Sequence, residues 1–174
     1  AFDVDLPLSE YYAKELKAPI GYASSDEIVE FDATYQGQDK AVIKLESTFQ
    51  NEITKVEVSK KDITNDEEIE GAHLSVYPKG EPGAVSDSWI SGQDGKDEDG
   101  SIIPHLIEGL EPGKTYVLHE TSSPYGYAIS KDVEFTVEDT GKVQSVEMKD
   151  ELVFGQLKWN KAGEIFMTTD LGQT

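Results

Sequence analysis

Tyr116-Val117-Leu118-His119-Glu120-Thr121-Ser122-Ser123-Pro124-Tyr125-Gly126-Tyr127 opens as an alternating strand and closes as a turn. With side chains alternating across a strand, Tyr116, Leu118 and Glu120 share one face and Val117, His119 and Thr121 the other. Glu120 therefore falls where the pattern calls for a buried apolar side chain. A carboxylate in a core costs several kcal/mol unless it is neutral, paired or hydrogen-bonded, so this residue predicts a partner. Pro124 and Gly126 then stop the strand with turn chemistry. Nearly the same line stands near the start of the chain, from Tyr11 to Tyr22. Glu15, Pro19, Gly21 and Tyr22 match Glu120, Pro124, Gly126 and Tyr127 at a constant offset of 105 residues (120 − 15, 127 − 22). Four positions in one register mark an internal repeat.

Working outward, Val56, Val58 and Lys60 share one face of a first strand, and acidic turn residues follow from Asp62 to Glu70. A second strand centres on Leu74 and Val76. A Gly-, Pro- and Asp-rich region from Pro78 to Gly100 is interrupted by Trp89-Ile90, and Ile102 to Leu110 leads through a turn at Glu111-Pro112-Gly113 into the strand of Glu120. Val133, Phe135 and Val137 form another strand, and Thr140-Gly141 turns into a last one with Val146, Met148 and Asp150 on one face. Many short strands between turn signals, with no convincing helix, predict an all-β sandwich. Residues 53–151 are expected to form a complete module. Residues 1–52, with β-formers at Tyr11-Tyr12, Ile28-Val29, Phe31, Ala41 to Ile43 and Leu45 to Phe49, are expected to be the second half of a preceding one. Residues 152–174 restart the pattern, with Leu157, Trp159 and Lys161 repeating Val56, Val58 and Lys60 at an offset of 101 (161 − 60). The chain thus reads as an excerpt from a longer array.

Its 174 residues include 35 Asp and Glu against 15 Lys and Arg, a net charge of −20. No basic footprint exists for nucleic acid or an anionic membrane, and the acidity is read as solubility and self-repulsion. No apolar run approaches the roughly 20 residues of a membrane-spanning helix. Cysteine is absent, so stability must come from packing, metal or another kind of crosslink. His73, His105 and His119 are scattered singly, which gives no metal-ligand spacing; neither metal nor cofactor is expected.

Three polar residues of the central module each continue an apolar face: Lys60, Glu120 and Asp150. The partial units repeat the set with Glu15, Asn51 and Lys161. An amine, a carboxyl and an Asp or Asn side chain pointing into one interior suggest condensation. Burial disfavours the charged forms of amines and carboxyls, and a desolvated neutral amine is a nucleophile. Glu120, protonated, is expected to hydrogen-bond the Asp150 carbonyl oxygen, polarise it and shuttle protons as the tetrahedral intermediate collapses. Holding the groups together is worth about 7–11 kcal/mol of barrier in well-oriented intramolecular reactions. Water would leave from Asp150, and ammonia from Asn51. A buried triad without covalent chemistry is the competing reading, although such ion clusters often do no better than apolar packing.

These residues carry a family resemblance. Val58-Ser59-Lys60-Lys61-Asp62, Gly71-Ala72, Ser88-Trp89-Ile90-Ser91, Leu110-Glu111-Pro112-Gly113, the Glu120 to Tyr127 box and Met148-Lys149-Asp150 stand in the order of the Cna B-type (SpaA-like) domain repeats of Gram-positive surface proteins and pilins. The resemblance implies an Ig-like, prealbumin-like β-sandwich in tandem modules. It also implies a spontaneous isopeptide bond between Lys60 and Asp150, assisted by Glu120, with Glu15, Asn51 and Lys161 as equivalents in the partial modules. The implied role is a structural stalk of a cell-wall-attached adhesin rather than an enzyme. Its partners would be adjacent modules of the same protein, with host protein or glycan reached through another domain and no membrane contact in this segment. Two alternatives belong to the same resemblance: a shaft pilin polymerised by sortase, or a host-ligand-binding module. Val76-Tyr77-Pro78-Lys79 is similar to the pilin motif whose lysine joins subunits, but it sits at a strand end, where Lys79 reads more simply as ordinary surface. Asp94 to Gly100 lacks the oxygen alternation of a calcium loop and reads as solvated. Trp89 and Trp159 read as core aromatics. The leading Glu15 and Asn51 and the trailing Lys161 would also suit head-to-tail complementation between chains, though truncation of an array explains them more simply.

Overall fold

A computed structural model describes residues 7–35, 37, 46 and 48–155. The described residues form nine strands and no helix. In the central module, β3 (Lys55–Asp62), β6 (His105–Glu108) and β9 (Val143–Asp150) make one sheet in the order β6-β3-β9. Facing it, β4 (His73–Pro78), β5 (Asp87–Ile90), β7 (Thr115–Ser122) and β8 (Val133–Thr136) make a second sheet in the order β5-β4-β7-β8. Every pairing is antiparallel except β3 with β9, the first and last strands of the module, which run parallel. Parallel neighbours need a long crossover; here the rest of the module supplies it.

Side-chain alternation builds the core. Val56 and Val58 of β3, Val146 and Met148 of β9, Leu74 and Val76 of β4, and Tyr116 and Leu118 of β7 meet between the sheets, with Trp89, Ile107, Leu110, Phe135 and Val137 completing the cluster. Fully burying an aliphatic side chain of this size is worth about 1.5–3 kcal/mol, so this face holds the sheets together. Where Trp89-Ile90 interrupts the Gly-, Pro- and Asp-rich region the chain forms the edge strand β5, and Trp89 is buried, as the sequence reading expects, stacking on His105 with ring centroids 4.2 Å apart. One difference from that reading appears. Strand β8 ends at Thr136, yet Val137 stays buried, its N–H donating to the Lys114 carbonyl.

In the leading unit, β1 (Ser9–Lys14) pairs antiparallel with β2 (Ile28–Ala33). At the 105-residue offset these two fall on β7 and β8 of the central module. The expected strand at Ala41 to Ile43, with Trp159 and Lys161, lies outside the described residues.

Candidate functional site

Strand β3 carries Lys60 one alternation beyond Val58, and β9 carries Asp150 one alternation beyond Met148. Both side chains therefore enter the sandwich from the same sheet. In the parallel register Lys60 is level with Met148 and Asp62 with Asp150, so amine and acid are diagonal neighbours on adjacent strands. Glu120 descends from β7 in the opposite sheet. All three are sealed from solvent, with relative exposures of 1%, 1% and 0% for Lys60, Glu120 and Asp150. The Lys60 amine touches Asp150 Oδ1 and lies 3.1 Å from Glu120 Oε1.

The acid's orientation differs from the sequence expectation. Glu120 turns its Oε1 toward the amine, and its Oε2 accepts the Ser130 main-chain N–H at 2.7 Å. The contact on Asp150 Oδ1 comes from a residue the sequence reading passed over, Ser130, whose hydroxyl also touches the Lys149 carbonyl and stands 3.5 Å from the amine. Glu120 Oε1 and Asp150 Oδ2 are buried without a well-directed hydrogen bond. A buried orphan oxygen is costly unless its chemistry changes. Ser130 was detectable: it follows Glu120 by ten residues as Ser25 follows Glu15, so it belongs to the 105-residue repeat (130 − 25).

A clasp lies beyond the triad. The Pro124-Tyr125-Gly126-Tyr127 turn closes through the Tyr127 N–H on the Pro124 carbonyl at 3.1 Å, with Gly126 at φ 90°, the left-handed geometry that a type II turn requires at this position. The chain leaving β9 is laced to it: Ala128 N–H donates to the Glu151 carbonyl at 3.0 Å and Val153 N–H to the Gly126 carbonyl at 2.8 Å. The Tyr127 hydroxyl donates to Asp62 at 2.8 Å, and Asp62 is buried at the end of β3. The Thr64 N–H first, and then the Tyr127 hydroxyl, hold the Asp62 carboxyl below the usual carboxylate range. The same contact, with Asp62 as acceptor, raises the Tyr127 hydroxyl above its ordinary value.

The leading unit repeats this lacing. Tyr22 N–H donates to the Pro19 carbonyl at 3.1 Å, Ala23 N–H to the Glu52 carbonyl at 2.8 Å, and Thr54 N–H to the Gly21 carbonyl at 3.0 Å. Asn51 Nδ2 donates to Glu15 Oε2 at 2.6 Å, and the Ser25 N–H reaches the same oxygen at 3.1 Å. Glu15 and Asn51 are thus brought together, half-buried. Lys161 lies outside the described residues. Lys79 stands on the surface just after β4, its Nζ paired with Glu134 at 2.6 Å. In the acidic loop, Asp97 and Asp99 accept backbone N–H groups of Asp99 and Ser101, and Lys96 pairs with Glu70.

Two facing sheets with a parallel pair of terminal strands define the class of this module, a prealbumin-like β-sandwich. The model of the SpaA family, a prealbumin-like fold domain, matches residues 54–152, more than half of the chain, and the chain belongs to that family. No curated protein sequence matches it. Among solved structures it is similar to the Bacillus anthracis TIE protein, with 25% identity over 85% of this chain and 26% of that one, at a TM-score of 0.53. It is also similar to a C-terminal fragment of the pilus adhesin SpaC from Lactobacillus rhamnosus GG, with 16% identity over 88% of this chain and 80% of that fragment, at a TM-score of 0.50. The major pilin subunit BcpA of Bacillus cereus is 28% identical over 56% of this chain and 28% of its own, at a TM-score of 0.41. The chain thus spans about a quarter of the length of the TIE protein.

Proposed function

We propose that the central module crosslinks itself, forming an amide between Lys60 Nζ and Asp150 Cγ, and serves as a load-bearing spacer on the outside of a Gram-positive cell. The observation that carries this reading is the sealed contact of one amine with two carboxyls beside a core cluster of aliphatic and aromatic side chains. An amine and an acid in contact can exchange one proton without changing their net charge, so the neutral pair forms without moving charge into the core. The Nζ lone pair attacks Asp150 Cγ. Glu120, as carboxylate, accepts a proton from the nitrogen and returns it to the departing oxygen. The C–O bond breaks and water leaves. One N–C bond forms, one C–O bond breaks, and Glu120 ends as it began. The reaction happens once per chain and turns over no external substrate.

The parallel pairing of β3 with β9 supports the mechanical role. With the amide in place, tension entering at Lys55 and leaving after Asp150 would pass through β3, the new bond and Asp150, bypassing residues 61–149. We further read residues 1–52 as the closing half of a preceding module, residues 53–151 as a complete module and residues 152–174 as the start of the next. Adjacent modules would then be the immediate partners. The matched lacing around Tyr22 and Tyr127 supports that division. The test is the intact mass of the purified chain: it should be lighter than the sequence mass by one water, and Lys60→Ala should carry its full calculated mass. A wild-type chain at full mass would end the proposal.

A further inference from the structure

Ser130 has two attachments that deserve separate roles. Its main-chain N–H holds Glu120 Oε2, as the Ser25 N–H holds Glu15 Oε2 in the leading unit. Its hydroxyl behaves differently in the two units. In the leading unit Ser25 Oγ accepts the Glu27 N–H at 3.2 Å, and the Asn51 amide reaches Glu15 directly. In the central module Ser130 Oγ touches the Lys149 carbonyl and Asp150 Oδ1, within 3.5 Å of the attacking amine. The backbone role thus repeats, whereas the hydroxyl reaches the acceptor only where that acceptor is an aspartate.

We propose that Ser130 is a catalytic residue of the crosslinking reaction, its hydroxyl stabilising the negative charge that develops on Asp150 Oδ1. This rests on the crosslinking proposal above. A hydroxyl has one hydrogen, and here two oxygens stand in its reach. Before reaction the hydrogen can serve the Lys149 carbonyl. When the amine adds to Cγ, charge grows on Oδ1 and the hydrogen turns toward it. The interaction is therefore stronger in the transition state than in the ground state, the condition for accelerating a step. Oδ1 then remains as the amide oxygen. Oδ2, buried without a hydrogen bond, carries the proton that the amine gives up in the neutral pair, takes a second from Glu120 and departs as water. Ser130 keeps its own proton throughout, so the balance of the reaction is unchanged.

The experiment is a time course. The full chain is synthesised in a cell-free system, quenched in acid denaturant at intervals, and the fraction lighter by one water is read by mass spectrometry from pH 5 to 9. Ser130→Ala keeps the N–H on Glu120 and removes the hydroxyl. It should crosslink about 10²-fold more slowly across the whole pH range, the scale seen when one oxyanion donor is lost. Ser130→Thr should recover most of the rate. Lys60→Ala and Lys60→Ala/Ser130→Ala, neither able to crosslink, should melt within a few degrees of each other, which separates rate from fold. If Ser130→Ala reaches the wild-type rate, or if threonine gives no recovery, Ser130 has no catalytic hydroxyl and the crosslinking proposal stands without it. If the wild-type chain never loses water, both fall together.

Discussion

Glu120→Gln separates the crosslink from the packing around it. Glutamine has nearly the volume of glutamate, and its carbonyl oxygen can still accept the Ser130 N–H, so the interior should remain filled. It cannot take a proton from Lys60 and hand it on. The chain should therefore fold, keep the Lys60–Asp150 contact as an ion pair and retain its full mass. The link it lacks would close a loop between positions 90 residues apart. In the chain-entropy model used for disulfides, a loop of that length is worth about 4–5 kcal/mol. For a module of roughly 100 residues, each kcal/mol moves Tm by about 4–8 °C, so Glu120→Gln should melt roughly 20–30 °C below the wild type. Calorimetry beside intact mass reads both quantities on one sample. A Glu120→Gln chain that still loses water would remove Glu120 from the chemistry. An unlinked chain melting within 5 °C of the wild type would refute the loop-entropy estimate of the bond's value.

Asp150→Asn should converge with the wild type: losing ammonia from Asn leaves the same amide as losing water from Asp, so the two purified chains should have identical mass. An Asp150→Asn chain that keeps its full mass would mean that the amine needs an acid at this position to take its proton. In the unlinked Glu120→Gln background, the folded state holds Asp62 ionised and the unfolded chain takes up protons more readily, near about pH 3.9. That part of the stability is present above this value and lost as pH falls through it, so Asp62→Asn should flatten the fall in Tm between about pH 5 and pH 3. Gly21→Ala places a methyl 2.5 Å from the Gly109 carbonyl oxygen at φ 83°. It should abolish exchange protection of the Thr54 amide, which donates to Gly21, while leaving the wild-type mass loss intact.

Side-chain alternation made much of this site legible. On β3, β7 and β9 a period of two assigns a face to every residue, so an amine and two carboxyls on apolar faces stand out as misplaced before any coordinates exist. The pairing of strands was not legible in the same way, because periodicity says which way a side chain points and not which strand lies beside it. The parallel β3–β9 contact, which makes Lys60 and Asp150 neighbours, is a property of topology. Asp62 shows a signal overruled: it continues the Val56, Val58, Lys60 face, but the run of acidic turn residues behind it reads as loop. Strand β5 is four residues long among Gly, Asp and Ser, too short to show alternation. The direction in which Glu120 points was beyond reach because it is a rotamer, settled by the position of one backbone N–H from Ser130.

The placement of the reactive pair also bears on why the bond would sit at this end of the strands. Strands β3 and β9 are parallel, with Lys55 opposite Val143 at one end and Asp62 opposite Asp150 at the other. The module is entered at the Lys55 end and left at the Asp150 end. Pulling on both termini therefore drags the two strands along each other and loads their whole ladder in shear. A bond near the entry would leave most of β9 hanging outside the closed loop, to be peeled away. A bond at Lys60 and Asp150 joins the last strand where it leaves the sandwich, so no part of β9 lies on the load path beyond the link. The Tyr127 clasp stands beside that point, with its hydroxyl on Asp62 and its turn laced to Glu151 and Val153. The proposed bond and the clasp would thus secure the same exit, the bond carrying tension and the clasp holding the direction in which the chain departs.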